Sequence, residues 1–194
     1  MINPDDITDY NRTDRELEEF MVFVICAAGK NANTTAKILN VLFDNAVYWG
    51  ISPVDYFVKS GAKFLQGHGI GCYNNRYRTL LVLKKKIAAN KYFLEDATIA
   101  ELEEVYGIGP KTARFFIMHS RPNQEIAALD THILKELRAN GIDAPKSTPP
   151  AGKKYNQLEQ EFIKLAKKSG KTIADYDLQV WLKYRKTEFN PLSP

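Results

Sequence analysis

Lys111 is the side chain of this sequence best placed for covalent chemistry. It is the second residue of the run PKTARFFIMHS, and Pro110 suits a first helical position because it lacks an N–H and its φ is already set. The lysine therefore falls in the first turn of a helix, at the positive end of the dipole, where an ammonium is disfavoured and a neutral, nucleophilic amine is favoured. A solvated surface lysine tolerating a small dipole penalty fits the same placement. Asp130, which precedes Thr131-His132-Ile133-Leu134-Lys135, also reads two ways. It can cap the helix that follows, and a carboxylate at the mouth of a cleft can hold a cationic transition state; neither role excludes the other. Just before the lysine stands Gly107-Ile108-Gly109. Its glycines allow positive φ and close approach of backbone, Ile108 can tuck back between two helices, and amides of the turn and helix start form an anion site suited to a phosphate. An ordinary helical hairpin with a glycine connection gives the same pattern.

The elements that must position these groups are helical. The segment from Thr98 to Val105 has capping-box spacing at Thr98 and Glu101 with Ile99, Leu102 and Val105 on one face; Gly107 ends it, and a second helix runs from Pro110 through Ser120. Upstream, Asp14 to Ala28 is nearly continuous in apolar residues at FMVFVICAA, the mark of a helix buried on most sides. Helices are also expected over Thr34 to Ala46, Ser52-Pro53 to Lys59 and Asn74 to Ala89, the last after a glycine-rich connection. GHGIG in that connection lacks the spacing and the preceding strand of a nucleotide loop and reads as a turn. Lys84-Lys85-Lys86 reads as a solvated face. Beyond the breaker-rich stretch Pro145 to Gly152, Tyr155 to Lys168 and Ile173 to Lys186 complete the set, and with no strand pattern the chain is all-α.

A chain of 194 residues with 44% hydrophobic content can bury one substantial core or two small lobes. The longest apolar run, Phe20 to Ala28, is too short to span a bilayer and the acidic start lacks a secretion signal, so an intracellular protein with no membrane partner is expected. Cys26 and Cys72 cannot supply a four-thiolate site, so neither an iron–sulfur cluster nor a four-cysteine zinc site is expected, and no metal is expected to take part in the chemistry. The net charge of +4 is compatible with nucleic acid and with much else.

The order GIGPKTA, a short loop with Pro122, then LDTHI resembles the helix-hairpin-helix DNA glycosylase superfamily, of which endonuclease III is a member. That resemblance implies two helical lobes, residues 17–124 ending in the hairpin and residues 1–16 plus 125–194, with DNA in the cleft between them. It implies that Lys111 attacks the sugar C1′ and that Asp130 assists. Gly107, Ile108, Gly109 and Thr112 would bind DNA, and hairpin carbonyls would hold a monovalent cation. Asn31 or Asn33, in the first helix-to-helix turn, would fill the space left by an extruded nucleotide; an asparagine-rich helix cap explains them equally.

Asp177 and Trp181 are four apart and share a helix face, where a carboxylate and an indole could bind a flipped base, or where the indole is core and the carboxylate surface. The tail YNQLEQEFIKLAKKSG to DYDLQVWLKYRKT resembles the second, mostly archaeal and bacterial, family of 8-oxoguanine glycosylase/lyases, in which the matching positions line the base pocket. Pro110 and Thr112 are closer to endonuclease III, and the chain continues as TEFNPLSP where that family ends in a pocket lysine. The resemblance implies a monomeric, cytoplasmic or nucleoid enzyme. It would act on double-stranded DNA carrying a damaged base or abasic site, excising 8-oxoguanine through a lysine Schiff base and cutting the strand by β-elimination. An oxidised or modified pyrimidine as target, or a non-catalytic DNA-binding module, are the alternatives.

Overall fold

The computed structural model describes residues 1–188; the segment from Phe189, with most of the TEFNPLSP tail, lies outside them. A 3-10 turn at Pro4–Asp6 is followed by α1 (Asp14–Ala27), α2 (Ala32–Tyr48), α3 (Pro53–Ser60), α4 (Ala62–Gly67), α5 (Tyr73–Ala89), α6 (Phe93–Asp96) and α7 (Ile99–Glu103). Then come α8 (Pro110–Ser120), α9 (Thr131–Ala139), α10 (Lys153–Lys168) and α11 (Ile173–Glu188). Among the described residues there is no strand, and no helix is long and apolar enough to cross a membrane. The chain divides into two compact units, Met1–Pro4 with Asn11–Phe116, and Asp5–Tyr10 with the chain from Ile117 onward.

In the first unit α1 is the central element. A capping box between Thr13 and Glu16 starts it, and Phe20 to Cys26 is buried without interruption. Neighbours α2, α3, α5 and α6 surround it. Phe20, wholly buried, stacks on Phe116 at 5.4 Å between ring centroids, and the Arg12 guanidinium covers the ring at 4.1 Å. The expected helices are present, with differences that have local causes. Asn31 caps α2 by accepting the Thr34 N–H, so that helix begins at Ala32 and not at Thr34. The glycine-rich connection before α5 contains a further helix, α4, too short to show a periodicity.

In the second unit α9, α10 and α11 pack on one another. Glu136 of α9 is the polar anchor: its carboxylate accepts from Lys183 Nζ at 2.6 Å and from the Tyr184 hydroxyl at 2.7 Å, both on α11. Burial pushes this carboxyl up, but those hydrogen bonds and the Lys183 charge outweigh it and hold the group below the usual carboxylate range.

Two outcomes are expected. Phe20→Ala lowers the unfolding free energy by about 3–5 kcal/mol, read as a fall in denaturant midpoint at unchanged slope. For Glu136, an unfolded glutamate ionises near pH ~4.3 and the folded one lower, so its stabilisation is complete above ~4.3 and is lost as pH falls through the folded value. The stability difference between wild type and Glu136→Gln should therefore shrink on acidification and be constant near neutrality.

Candidate active site

The hairpin lies in the first unit. Thr98 and Glu101 form the expected capping box at the start of α7. The helix ends at Glu103 and not Val105, because its last turn tightens: the Val105 N–H reaches back to the Leu102 carbonyl, and the Ile108 N–H to that of Val105. Val105 and Ile108 are buried and pin the turn to the core. Ile108 thus tucks back as expected, but its N–H is used inside the turn at 2.9 Å and is not a donor for a ligand. Of the turn and helix-start amides expected to form an anion site, that of Ile108 is therefore already bonded within the turn. In α8's first turn the Lys111 and Thr112 N–H groups have no acceptor within their own helix.

The two glycines of the turn differ. Gly107 has φ +84°, and a Cβ there would stand 2.3 Å from Oγ1 of Thr79, a buried residue of α5. Both backbone conformation and space require glycine. Gly109 has an ordinary φ and nothing within 4 Å of an added Cβ. The fold itself does not need glycine at 109, and its bare backbone leaves the approach to the start of α8 open. Arg114, buried, joins the hairpin's helices by donating to Glu103 Oε1 at 3.1 Å and to the Pro110 carbonyl at 3.3 Å. Lys111 and Thr112 are half-buried. Oxygen donors for a monovalent cation exist as turn carbonyls, of which those of Val105 and Gly109 already accept the Ile108 and Ala113 N–H groups.

Three exposed residues beside the turn escaped the sequence reading. The Arg78 guanidinium lies 4.3 Å from the Tyr106 ring centroid, and the Tyr106 hydroxyl donates to Asn75 Oδ1 at 3.3 Å. Their adjacency to the hairpin depends on α5 crossing behind Gly107, which no local signal encodes. Of the lysine triplet, Lys84 pairs with Asp55 and Lys86 with Glu104, each at 2.6 Å.

The turn before α2 carries Asn31, the cap, and Asn33, half-buried in the first turn. Buried Arg76 braces that turn from below, donating to the Ala28 carbonyl at 3.0 Å and to the Gly71 carbonyl. Beside it the thiol of Cys26 is pushed up to about 12 by burial, against the pull of Arg76, and stays neutral.

Asp130 belongs to the second unit and caps α9 as expected. Its Oδ1 accepts the His132 and Ile133 N–H groups, both at 2.9 Å, which leaves Oδ2 outside the cap. On α11, Asp177 and Trp181 lie one turn apart. Asp177 is buried and its Oδ2 lies 3.2 Å from Nε2 of wholly buried His119, whose Nδ1 meets the Thr8 hydroxyl at 2.8 Å. Trp181 is half-buried, with the Arg185 guanidinium 4.5 Å from its ring and Arg185 in turn paired to Asp5. The hairpin residues, Asn31 and Asn33 thus belong to one unit, and Asp130, Asp177 and Trp181 to the other.

The sequence model of the family described as 8-oxoguanine DNA glycosylase matches residues 5–171. No curated protein matches the chain. Among solved structures, the 8-oxoguanine DNA glycosylase of Thermotoga maritima is similar at a TM-score of 0.71 and 20% identity, over 87% of this chain and 79% of that one. That of Methanocaldococcus jannaschii gives 0.71 and 19%, over 91% and 81%. The M. jannaschii 8-oxoguanine glycosylase/lyase in complex with a 15mer DNA containing 8-oxoguanine gives 0.70 and 20%, over 88% and 81%.

The two glycines should separate by substitution. Gly107→Ala, forced against Thr79 at positive φ, is expected to cost about 1–3 kcal/mol of stability. Gly109→Ala should keep the melting temperature and weaken binding to a duplex oligonucleotide, measured by fluorescence anisotropy. Equal affinity for Gly109→Ala and wild type would show that nothing docks against that backbone.

Proposed function

The chain belongs to the 8-oxoguanine DNA glycosylase family and is a DNA glycosylase for 8-oxoguanine; from that premise we propose that it is bifunctional, with Lys111 as the nucleophile and lyase activity following base release. The single observation behind this reading is the position of Lys111, the second residue of α8 directly after the turn that holds Gly107. An amine there stands beside the amides that would hold a backbone phosphate.

In the proposed sequence the damaged nucleotide is rotated out of a double-stranded substrate and the Lys111 amine attacks C1′. The N-glycosidic bond breaks with its electron pair leaving on the base. Opening of the sugar ring gives a protonated Schiff base, which makes the C2′ proton acidic. Loss of that proton and cleavage of the C3′–O bond cut the strand, and water then frees the lysine. Asp130, through the Oδ2 that the helix cap leaves over, would stabilise the positive charge on the sugar and orient the amine. We assign Gly109, Thr112 and the turn around Gly107 and Ile108 to the phosphate backbone, Asn31 or Asn33 to the vacated stack, and Asp177 with Trp181 to the base. Two cysteines cannot hold an iron–sulfur cluster, so none is assigned. A monovalent cation at the turn carbonyls would brace the hairpin on a phosphate without entering bond making. We assign the protein to the cell interior, acting as a monomer on chromosomal DNA.

Lys111→Gln should release base at least ~10³-fold more slowly in single turnover and form no covalent adduct when borohydride is added to enzyme and an 8-oxoguanine duplex. An adduct that survives the substitution assigns the chemistry to another amine. In a panel of single-lesion duplexes, faster scission at an oxidised pyrimidine than at 8-oxoguanine would move the substrate assignment.

A further inference from the structure

Ahead of Asp130 runs Ala127-Ala128-Leu129, buried throughout and without a strand beside it among the described residues. Backbone amides and carbonyls buried in this way need partners, and here side chains replace the missing strand. The Ala127 N–H donates to Glu159 Oε1 at 2.9 Å. The Tyr155 hydroxyl donates to the Ala127 carbonyl at 3.0 Å and accepts the Leu129 N–H at 3.1 Å. The Thr148 hydroxyl donates to the Leu129 carbonyl at 2.7 Å. Tyr155 and Glu159 are four apart on α10 and so share one face. A core that only needed filling at position 155 would be served by phenylalanine; the hydroxyl of this wholly buried tyrosine instead fixes the chain at alternate residues, 127 and 129. The next residue is Asp130.

We infer that Tyr155, with Thr148 and Glu159, is a positioning residue for the Asp130 carboxylate, setting the rate of base excision and not the affinity for DNA. The inference rests on the role proposed above for Asp130. Oδ1 of that carboxylate is fixed by the α9 amides, so where Oδ2 points is decided by where the backbone enters the cap. A shift of about 1 Å in a catalytic group can cost ~10²-fold in rate.

The test uses the full chain and a duplex with one 8-oxoguanine. Tyr155→Phe is expected to lower the single-turnover rate by ~10- to 100-fold with the Kd for the duplex within about twofold of wild type. Leu158→Ala, at a buried position of the same helix with no polar group to lose, lowers the melting temperature and leaves the rate. Thr148→Val should slow excision and Thr148→Ser restore it, which keeps the test decisive if the tyrosine variant does not fold. In an Asp130→Asn background, Tyr155→Phe should slow the reaction no further. Full activity in Asp130→Asn overturns the role of the aspartate itself. Loss of activity in Asp130→Asn together with wild-type rates in Tyr155→Phe and Thr148→Val leaves that role standing and overturns this inference. So does a weakened Kd at unchanged rate, or multiplicative effects in the double variant.

Discussion

The chemistry proposed for this chain depends on the positive ends of two helices. At the start of α9 the amides left without a helical partner are met by a carboxylate, and the two hydrogen bonds that Asp130 accepts begin the helix. At the start of α8 no acidic residue occupies the first turn, and a lysine sits there instead. Propensity alone would exchange the two residues. A helix with a positive charge in its first turn gives up a few tenths of a kcal/mol, a cost that the nucleophilic role proposed for this amine would account for. The remainder of each unit keeps those two helix starts in place.

How they are kept in place differs between the units. Around the hairpin the device is close approach. Gly107 presses on Thr79 so tightly that no side chain fits, Val105 and Ile108 are sunk into the core, and Arg114 bridges α7 and α8. Around Asp130 the device is hydrogen bonding, because an extended segment with no partner strand among the described residues is satisfied by Tyr155, Glu159 and Thr148. Both solutions follow from one requirement, that irregular backbone near a reacting centre be neither mobile nor unsatisfied.

What could be read from the sequence was local. Pro110 at a first helical position, Thr98 with Glu101, Asp130 before a periodic run and the apolar stretch of α1 each declare themselves within a few residues, and so does the order of hairpin, lysine and aspartate that resembles the helix-hairpin-helix glycosylase superfamily. Features that depend on chain segments meeting from far apart were not legible. Arg76 is separated from Ala28 by 48 residues, and Arg78 from Tyr106 by 28. The amide of Ile108 was misjudged for a related reason: whether a turn donor faces outward depends on how tightly the preceding helix ends. The short helices α4 and α6 hold too few residues for a period to emerge.

Arg76 also has an electrical consequence. Among the described residues no carboxylate pairs with this buried guanidinium, whose partners are two backbone carbonyls, and the neighbouring Cys26 thiol stays protonated and supplies no counter-charge. A full positive charge is thus embedded in poorly polarisable surroundings beneath the turn that precedes α2. Mobile ions mask a surface lysine within roughly 10 Å at moderate salt, but they cannot crowd around a charge enclosed by protein. The Ala28 and Gly71 carbonyls, and not dissolved ions, are what answer this charge at close range.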